Sequence, residues 1–248
     1  MLLTRRAAMR GLGRGAVTLI AAPASGQPAY PNRTIKMIVP YPPGGTTDLL
    51  GRLVADQIKS GLNATVIVEN KPGAATTLGA EQVARSEPDG YTLLMATSTT
   101  LAINKTLYRK LAYDPAKDFA AVALVAAVPF ALIINPSIPA KTLSEFIAYA
   151  KSNPGLAYGS AGNGSPQHLG AEMLKSLAGI DIRHVPYRGS VPAMLDVIAG
   201  HIPFMVVDLQ PALQQIREGK VRVLGVTTRA RVAAARNTDA RGRRSRRL

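Results

Sequence analysis

Apolar positions along the chain fall into two alternating rhythms. Short apolar or β-branched runs read as strands: Ile35-Lys36-Met37-Ile38-Val39, then residues 65–69, 91–96, 156–158, 182–186, 202–207 and 221–227. Between them, apolar residues recur at helical spacing. Leu49, Leu50, Leu53, Val54 and Ile58 share one face, and further helices are expected near 77–86, over 141–152, from Ser165 to about Ala178, and over 192–199. Alternating strand and helix joined by short loops predicts an α/β architecture with largely parallel sheets.

Local chemistry sets the boundaries. Thr142 followed by Glu145 is a capping box, and Asn153-Pro154-Gly155 stops that helix. Ser165 caps the next helix, with Pro166 in its first turn. Glu87-Pro88-Asp89-Gly90 is a turn. The apolar run 120–134 holds Pro129, so it predicts two strands or a crossover between domains, not one central strand.

Three loops carry candidate chemistry. Pro42-Pro43-Gly44-Gly45-Thr46-Thr47-Asp48 lies between a strand and a helix, where bare backbone N–H groups meet the positive end of a helix dipole. It has no lysine of the phosphate-binding kind, so it predicts a seat for a small anion. The same device recurs at 159–166, within Gly159-Ser160-Ala161-Gly162-Asn163-Gly164-Ser165. Thr97-Ser98-Thr99-Thr100 places hydroxyls at the carboxyl end of a strand, the edge where open α/β sheets bind ligands. Two lobes that each aim such a loop at a shared cleft would clamp a small anion.

Composition narrows the classes. The 248 residues are 47% apolar, enough for one large or two modest domains, and cysteine is absent, which excludes disulfides, thiolate metal sites and cysteine nucleophiles. The net charge of +15 is concentrated at the ends. Residues 1–24 hold four arginines and no acid, and 229–248 hold eight arginines and Asp239. The body, 25–228, has 18 basic and 14 acidic residues. No basic cluster interleaved with aromatics occurs in the body, so nucleic acid is not an expected partner.

The N-terminus predicts export. Arg5, Arg6 and Arg10 precede a short apolar stretch and Ala22-Pro23-Ala24, a small-residue cleavage site, and Thr4 to Arg10 looks like a twin-arginine signal. Arg14 interrupts a run already too short for a membrane anchor, and no cysteine follows for lipid attachment. The expectation is a soluble periplasmic protein starting near Ser25. The segment 236–248 is nearly devoid of apolar residues. It is either a solvated basic tail or a chain that left its reading frame near residues 229–236, and the excess of Arg, Ala, Gly and Ser favours the second.

At Tyr41 to Asp48, Glu69 to Gly73, Pro88 to Tyr91, Tyr158 to Ser165 with His168, and Tyr187 to Ala193, the chain resembles the substrate-binding proteins of tripartite tricarboxylate transporters, the Bug family of periplasmic receptors. The resemblance covers about residues 28–228, with several motifs in order. It implies a two-lobed periplasmic binding protein type II fold, a small carboxylate ligand (a di- or tricarboxylate, acidic amino acid or aromatic acid), and a membrane permease of one large and one small subunit as partner. It implies no cofactor, a monomer, and a carboxylate held by backbone N–H groups, hydroxyls and water. The expected division is a signal over 1–24, a first lobe over 25–128, a second over 129–228 and a tail over 229–248. Family members continue beyond the strand matching 221–227. The C-terminal part of the first lobe is therefore expected to be missing, with apolar surface and a sheet edge exposed.

The candidate ligand-binding residues are Tyr41, Gly44, Gly45, Thr46, Asp48, Thr97, Ser98, Thr99, Ser160, Gly162, Asn163, Ser165, His168, Arg188 and Asp208. Several have a second reading. The glycines also serve tight turns, Asp48 and Ser165 also cap helices, and His168 also suits a solvated or supporting position. Arg188 is the best candidate for an ion pair but also suits the surface, and Asp208 would suit a ligand hydroxyl, ammonium or water. A Ser160, His168, Asp208 set is the nearest approach to a catalytic triad. No nucleophile elbow accompanies it, and His168, His184 and His201 lack metal-ligand spacing, so no enzyme is expected. Two alternatives stay open: a receptor that signals through a membrane sensor, and a frameshifted, non-functional remnant.

Overall fold

A computed structural model of the chain describes residues 29–228; the expected signal over 1–24 and the tail over 229–248 lie outside these residues. All of the elements below belong to one compact unit that begins at Arg33.

The chain runs β1 (Ile35–Val39), α1 (Thr46–Leu62), β2 (Val66–Asn70), α2 (Thr77–Ala84), β3 (Thr92–Leu94), α3 (Asn104–Leu107), β4 (Phe130–Ile134), α4 (Leu143–Ser152), β5 (Leu156–Ser160), α5 (Pro166–Ala178), β6 (Ile182–Pro186), α6 (Ser190–Ala199), β7 (Phe204–Asp208), α7 (Leu209–Arg217) and β8 (Arg222–Val226). The first sheet has the order β2-β1-β3 and is parallel. The second has the order β6-β5-β7-β4-β8. The pairings of β1 with β2 and β3, and of β5 with β6 and β7, are parallel as expected, and β4 alone departs from this by running antiparallel to β7 and β8. The reason is topological. The chain crosses from the first sheet and enters the second at the edge where β7 ends, with Phe130 opposite Asp208, so β4 must run away from that edge.

This sheet explains its own apolar runs. Ala131, Ile133, Met205 and Val207 face α6 and α7, and Leu132, Ile134, Phe204 and Val206 face α4 and α5. Both faces are covered, so β4 and β7 read as continuous apolar segments. Phe146 and Phe204, both fully buried, pack edge to face at 4.8 Å, and each buried aromatic contributes about 2–3 kcal/mol from area alone. Half of the capping box forms: Thr142 Oγ1 accepts from the Glu145 N–H at 3.1 Å, while Glu145 Oε2 reaches one residue beyond the cap and accepts from the Lys141 N–H at 2.7 Å.

The apolar run 120–134 yields one strand, β4, and an extended crossover. Pro129 cannot donate to a ladder, and its carbonyl accepts from the Leu209 N–H instead. Val122 and Leu124 on that crossover are 85% and 90% exposed. The first sheet has the smaller core, Met37, Val39 and Met95, and α1 leaves Leu49 and Leu53 exposed. Helix α7 went unpredicted, although Leu209, Ala212 and Ile216 recur at helical spacing and are buried.

Candidate functional site

The carboxyl ends of β1 and β3 from the first sheet, and of β5, β6 and β7 from the second, open onto one cavity of about 910 Å³. Its polar wall is Tyr41, Gly45, Thr46, Thr47, Thr97, Ser98, Gln167, Ser190 and Asp208. The far wall is apolar, built from Leu50, Val54, Leu93 and the crossover.

Two helix N-termini meet at this polar wall. Helix α1 starts after Gly45 and α6 after Gly189, and neither has a side-chain cap. The first N–H groups of each helix therefore have no intrahelical partner and no cap. Gly189, at φ +117°, turns the chain so that α6 begins against Pro42: a Cβ there would lie 3.4 Å from the proline ring. By contrast α5, expected to supply the second anion seat, is closed by its own sequence. Ser165 Oγ accepts from the His168 N–H at 3.2 Å. The helix end facing α1 is thus that of α6.

The structure divides the sequence candidates by where their side chains go. Tyr41, Gly45, Thr46, Thr97, Ser98 and Asp208 line the cavity. The Tyr41 hydroxyl lies 3.2 Å from Thr97 Oγ1, and burial raises its pKa. Asp48 is taken up by the loop itself. Its carboxylate accepts from the Gly44 N–H at 3.0 Å, Arg52 Nε at 3.1 Å and Asn70 Nδ2 at 2.9 Å. Burial pushes that carboxyl up, but these donors outweigh it and hold the pKa below the ordinary range. The Gly44 N–H is spent in the same network. Thr99 donates to the Gly164 carbonyl at 3.3 Å and joins the two sheets' loops. Asn163 and Arg188 are exposed and line no part of the cavity.

Ser160, Gly162 and His168 form a support behind the loop. Ser160 Oγ accepts from the Gly162 N–H at 3.0 Å and lies 2.6 Å from His184 Nε2. The His168 and His184 rings stack at 4.0 Å, and Tyr158 stacks on His184 at 5.0 Å. His168 Nδ1 accepts from the Gly164 N–H at 3.3 Å, so that nitrogen carries no proton. Burial, then the neighbouring His168, lowers the His184 pKa to about 4. The would-be triad is therefore not assembled: Ser160 meets His184, and Asp208 meets Gln167. Among the described residues no group of three or more His, Asp or Glu is placed to hold a metal ion, and no helix is long and apolar enough to cross a membrane.

Gln167, Ser190 and Ala161 also line the cavity, although none is among the candidate ligand-binding residues named from the sequence. Gln167 is the most informative. It is 6% exposed, and its Nε2 donates to Asp208 Oδ1 at 2.6 Å. Asp208 is itself 8% exposed, and burial raises its pKa, although Thr46 and Gln167 favour the ionised form.

This arrangement, two sheets whose strand ends and uncapped helices converge on one cavity, is that of a solute receptor, and comparison with known proteins gives the family. Residues 50–241 match the model of the tripartite tricarboxylate transporter family receptor, and the chain belongs to that family. Two curated relatives come from Bordetella pertussis. One, a UPF0065 protein, is 37% identical over 217 residues, 87% of this chain and 67% of its own length. The other, protein BugT, is 37% identical over 209 residues, 84% of this chain and 64% of its own length. The chain thus spans about two thirds of the length of the curated relatives it matches. Among solved structures, one described as a periplasmic transporter superposes with a TM-score of 0.80 at 42% identity, covering 83% of this chain and 69% of that one. Rhodopseudomonas palustris Rpa4515 with adipate gives 0.79 at 35%, over 82% and 68%. MatC from the same species with bound malate gives 0.76 at 35%, over 82% and 69%. The two-lobed α/β periplasmic binding protein fold expected from the sequence is the fold of this chain.

Proposed function

We propose that this chain is a periplasmic receptor that captures a small carboxylate in the cavity between its two sheets and delivers it to a tripartite permease. The observation that carries this reading is the meeting of the uncapped N-termini of α1 and α6 at the polar wall. Each helix end favours an anion by about 0.3–1 kcal/mol when exposed and up to about 2 kcal/mol when partly buried. Four or five hydrogen bonds to a charged group, at roughly 1.5–3 kcal/mol each before ordering costs, bring micromolar binding within reach. The hydroxyls of Thr46, Thr47, Thr97, Ser98 and Ser190 would supply the donors. The carboxylates adipate and malate bound in two solved relatives support the same class. The lobe division at 128/129, the monomeric state and the absence of a cofactor belong to this reading.

The test is a thermal-shift and calorimetric titration of residues 25–248 against mono-, di- and tricarboxylates. Stabilisation of about 2.7 kcal/mol is expected at a hundredfold excess over Kd. A cooperative melt that no carboxylate moves would sink the proposal.

A further inference from the structure

Three successive residues other than glycine, Ala74, Ala75 and Thr76, have φ of +44°, +50° and +76°. The left-handed region is costly for any side chain, and more so for a β-branched one. Such strain persists only where the surroundings hold it. Here they do. Asn104, at the start of α3, donates from Nδ2 to the Ala75 carbonyl at 2.7 Å and to Thr76 Oγ1 at 3.4 Å. Thr76 Oγ1 lies 2.9 Å from Thr100 Oγ1. Thr76, Thr100 and Asn104 are all buried, and none of them lines the cavity.

The hydrogens of this cluster have one consistent arrangement. A carbonyl only accepts, so the Asn104 amide must turn its nitrogen toward Ala75, even though this leaves Oδ1 buried with no partner. Tyr113 spends its hydrogen on the Thr100 carbonyl at 2.7 Å and so faces Asn104 as an acceptor. Thr76 meets a donor at Asn104, and its own hydrogen goes to Thr100 Oγ1; the reverse would bury an unpaired donor. Thr100 in turn passes its hydrogen to Thr97 Oγ1, 3.4 Å away. Thr97 and Tyr41 both line the cavity, with their hydroxyl oxygens 3.2 Å apart. Because Thr97 already accepts from behind, this pair holds two hydrogens and needs one for its mutual bond. The other is offered to the cavity. Burial raises the Tyr41 pKa, so the phenol keeps its hydrogen at neutral pH.

A hydroxyl is donor and acceptor alike, so an unordered one gives a carboxylate no preference. Resting on the carboxylate-receptor reading above, we infer that Thr76, Thr100 and Asn104 are positioning residues, which order a chain of hydroxyls running from the strained turn so that Thr97 and Tyr41 meet the ligand carboxylate as donors. They do not touch the ligand. They act by filling a lone pair of Thr97 from behind, and the left-handed turn is what brings Thr76 to Thr100.

The test separates hydroxyl from shape at Thr100. Benzoate, malate, adipate and citrate are titrated calorimetrically at neutral pH against the parent and two variants. Thr100→Val keeps the shape and removes the hydroxyl, whereas Thr100→Ser keeps the hydroxyl and removes the methyl. For each acid that binds the parent, Thr100→Val is expected to weaken binding about three- to tenfold, the range of one neutral hydrogen bond. Thr100→Ser is expected to keep the parent's affinity, while a packing role would rank the two variants the other way. In a Thr97→Val background the Thr100→Val loss is expected to vanish. If Thr100→Val alone does not melt cooperatively, Thr76→Val combined with Thr100→Val removes both hydroxyls, leaves neither partner orphaned, and is expected to show the same loss. Parent-like affinity without the Thr100 hydroxyl overturns the inference and leaves the carboxylate receptor standing. So does a loss of equal size in Thr100→Ser or in the Thr97→Val background. Binding of none of the four acids by the parent overturns the receptor reading and this inference with it.

Discussion

A Cβ placed on Gly45 would end 4.0 Å from the Ser190 hydroxyl oxygen. The N-cap of α1, from the first sheet, thus sits against the first residue of α6, from the second, and the two helix dipoles converge on one end of the cavity. Everything proposed about anion capture depends on that pair of ends staying uncapped.

Gly45→Asp should separate stability from binding. Gly45 has φ −83° and ψ 172°, a conformation any residue adopts and the usual one for an N-cap. An aspartate there would bond the free N–H groups of α1 and complement its dipole, adding a few tenths to about 1 kcal/mol. Its charge would stand where a ligand carboxylate belongs. The expected result is a raised melting temperature with carboxylate binding lost. Retained binding would remove α1 from the site.

Asp48→Ala should do the reverse. The carboxylate bonds Gly44, Arg52 and Asn70 and faces the loop, so its loss should cost about 1–3 kcal/mol in denaturant unfolding while leaving ligand preference unchanged. The lowered pKa adds a pH signature. A group whose folded pKa lies below its unfolded value stabilises above the unfolded value, and that stability disappears as pH falls through the folded one. The Asp48→Ala variant should therefore lose less stability below about pH 4 than the parent.

His184 predicts a second and earlier acid response. Its pKa near 4 lies below the ordinary value of about 6.5, so the unfolded chain binds more protons between those limits. Stability should decline as pH falls from about 6.5 toward 4, and His184→Gln should flatten that decline. Melting temperatures measured at intervals from neutral pH down to about 4.5 check this; parallel curves for the two proteins would count against it.

Gly164 lies tightly against α3. It has φ +70°, and a Cβ there would lie 2.5 Å from Leu107 Cδ2. Gly164→Ala should cost about 1–2 kcal/mol from the left-handed conformation, plus a steric part. Adding Leu107→Ala should recover only the steric part in a double-mutant comparison.

The alternation of strands and helices was legible because each loop is marked by Gly, Pro or a capping residue. Thr142 with Glu145, and Ser165 with Pro166, placed helix starts to within a residue. The direction of β4 was not legible, since strand polarity depends on which edge the crossover reaches. At the site, Gly45, Thr46, Thr97, Ser98 and Asp208 line the cavity from positions their motifs suggested. Asp48, Thr99, Ser160 and Ser165 sit in the same motifs but bond their own loops or the facing one. Sequence alone does not separate a hydroxyl or carboxylate that serves the backbone from one that serves a ligand. Gln167 carried no motif at all. Only its place in the first turn of α5, facing the end of β7, gives it meaning.

No cationic side chain is among the described residues of the cavity wall, and this has a kinetic consequence. A dipole's field falls away faster than that of a net charge, so the lining exerts little pull on an anion still in bulk solution. Salt shortens the reach of exposed charges to about 8 Å at physiological strength but barely touches hydrogen bonds inside a closed cavity. The lining itself would therefore add no steering to capture, and the part of the affinity that comes from its hydrogen bonds would hold nearly constant from dilute to saline surroundings.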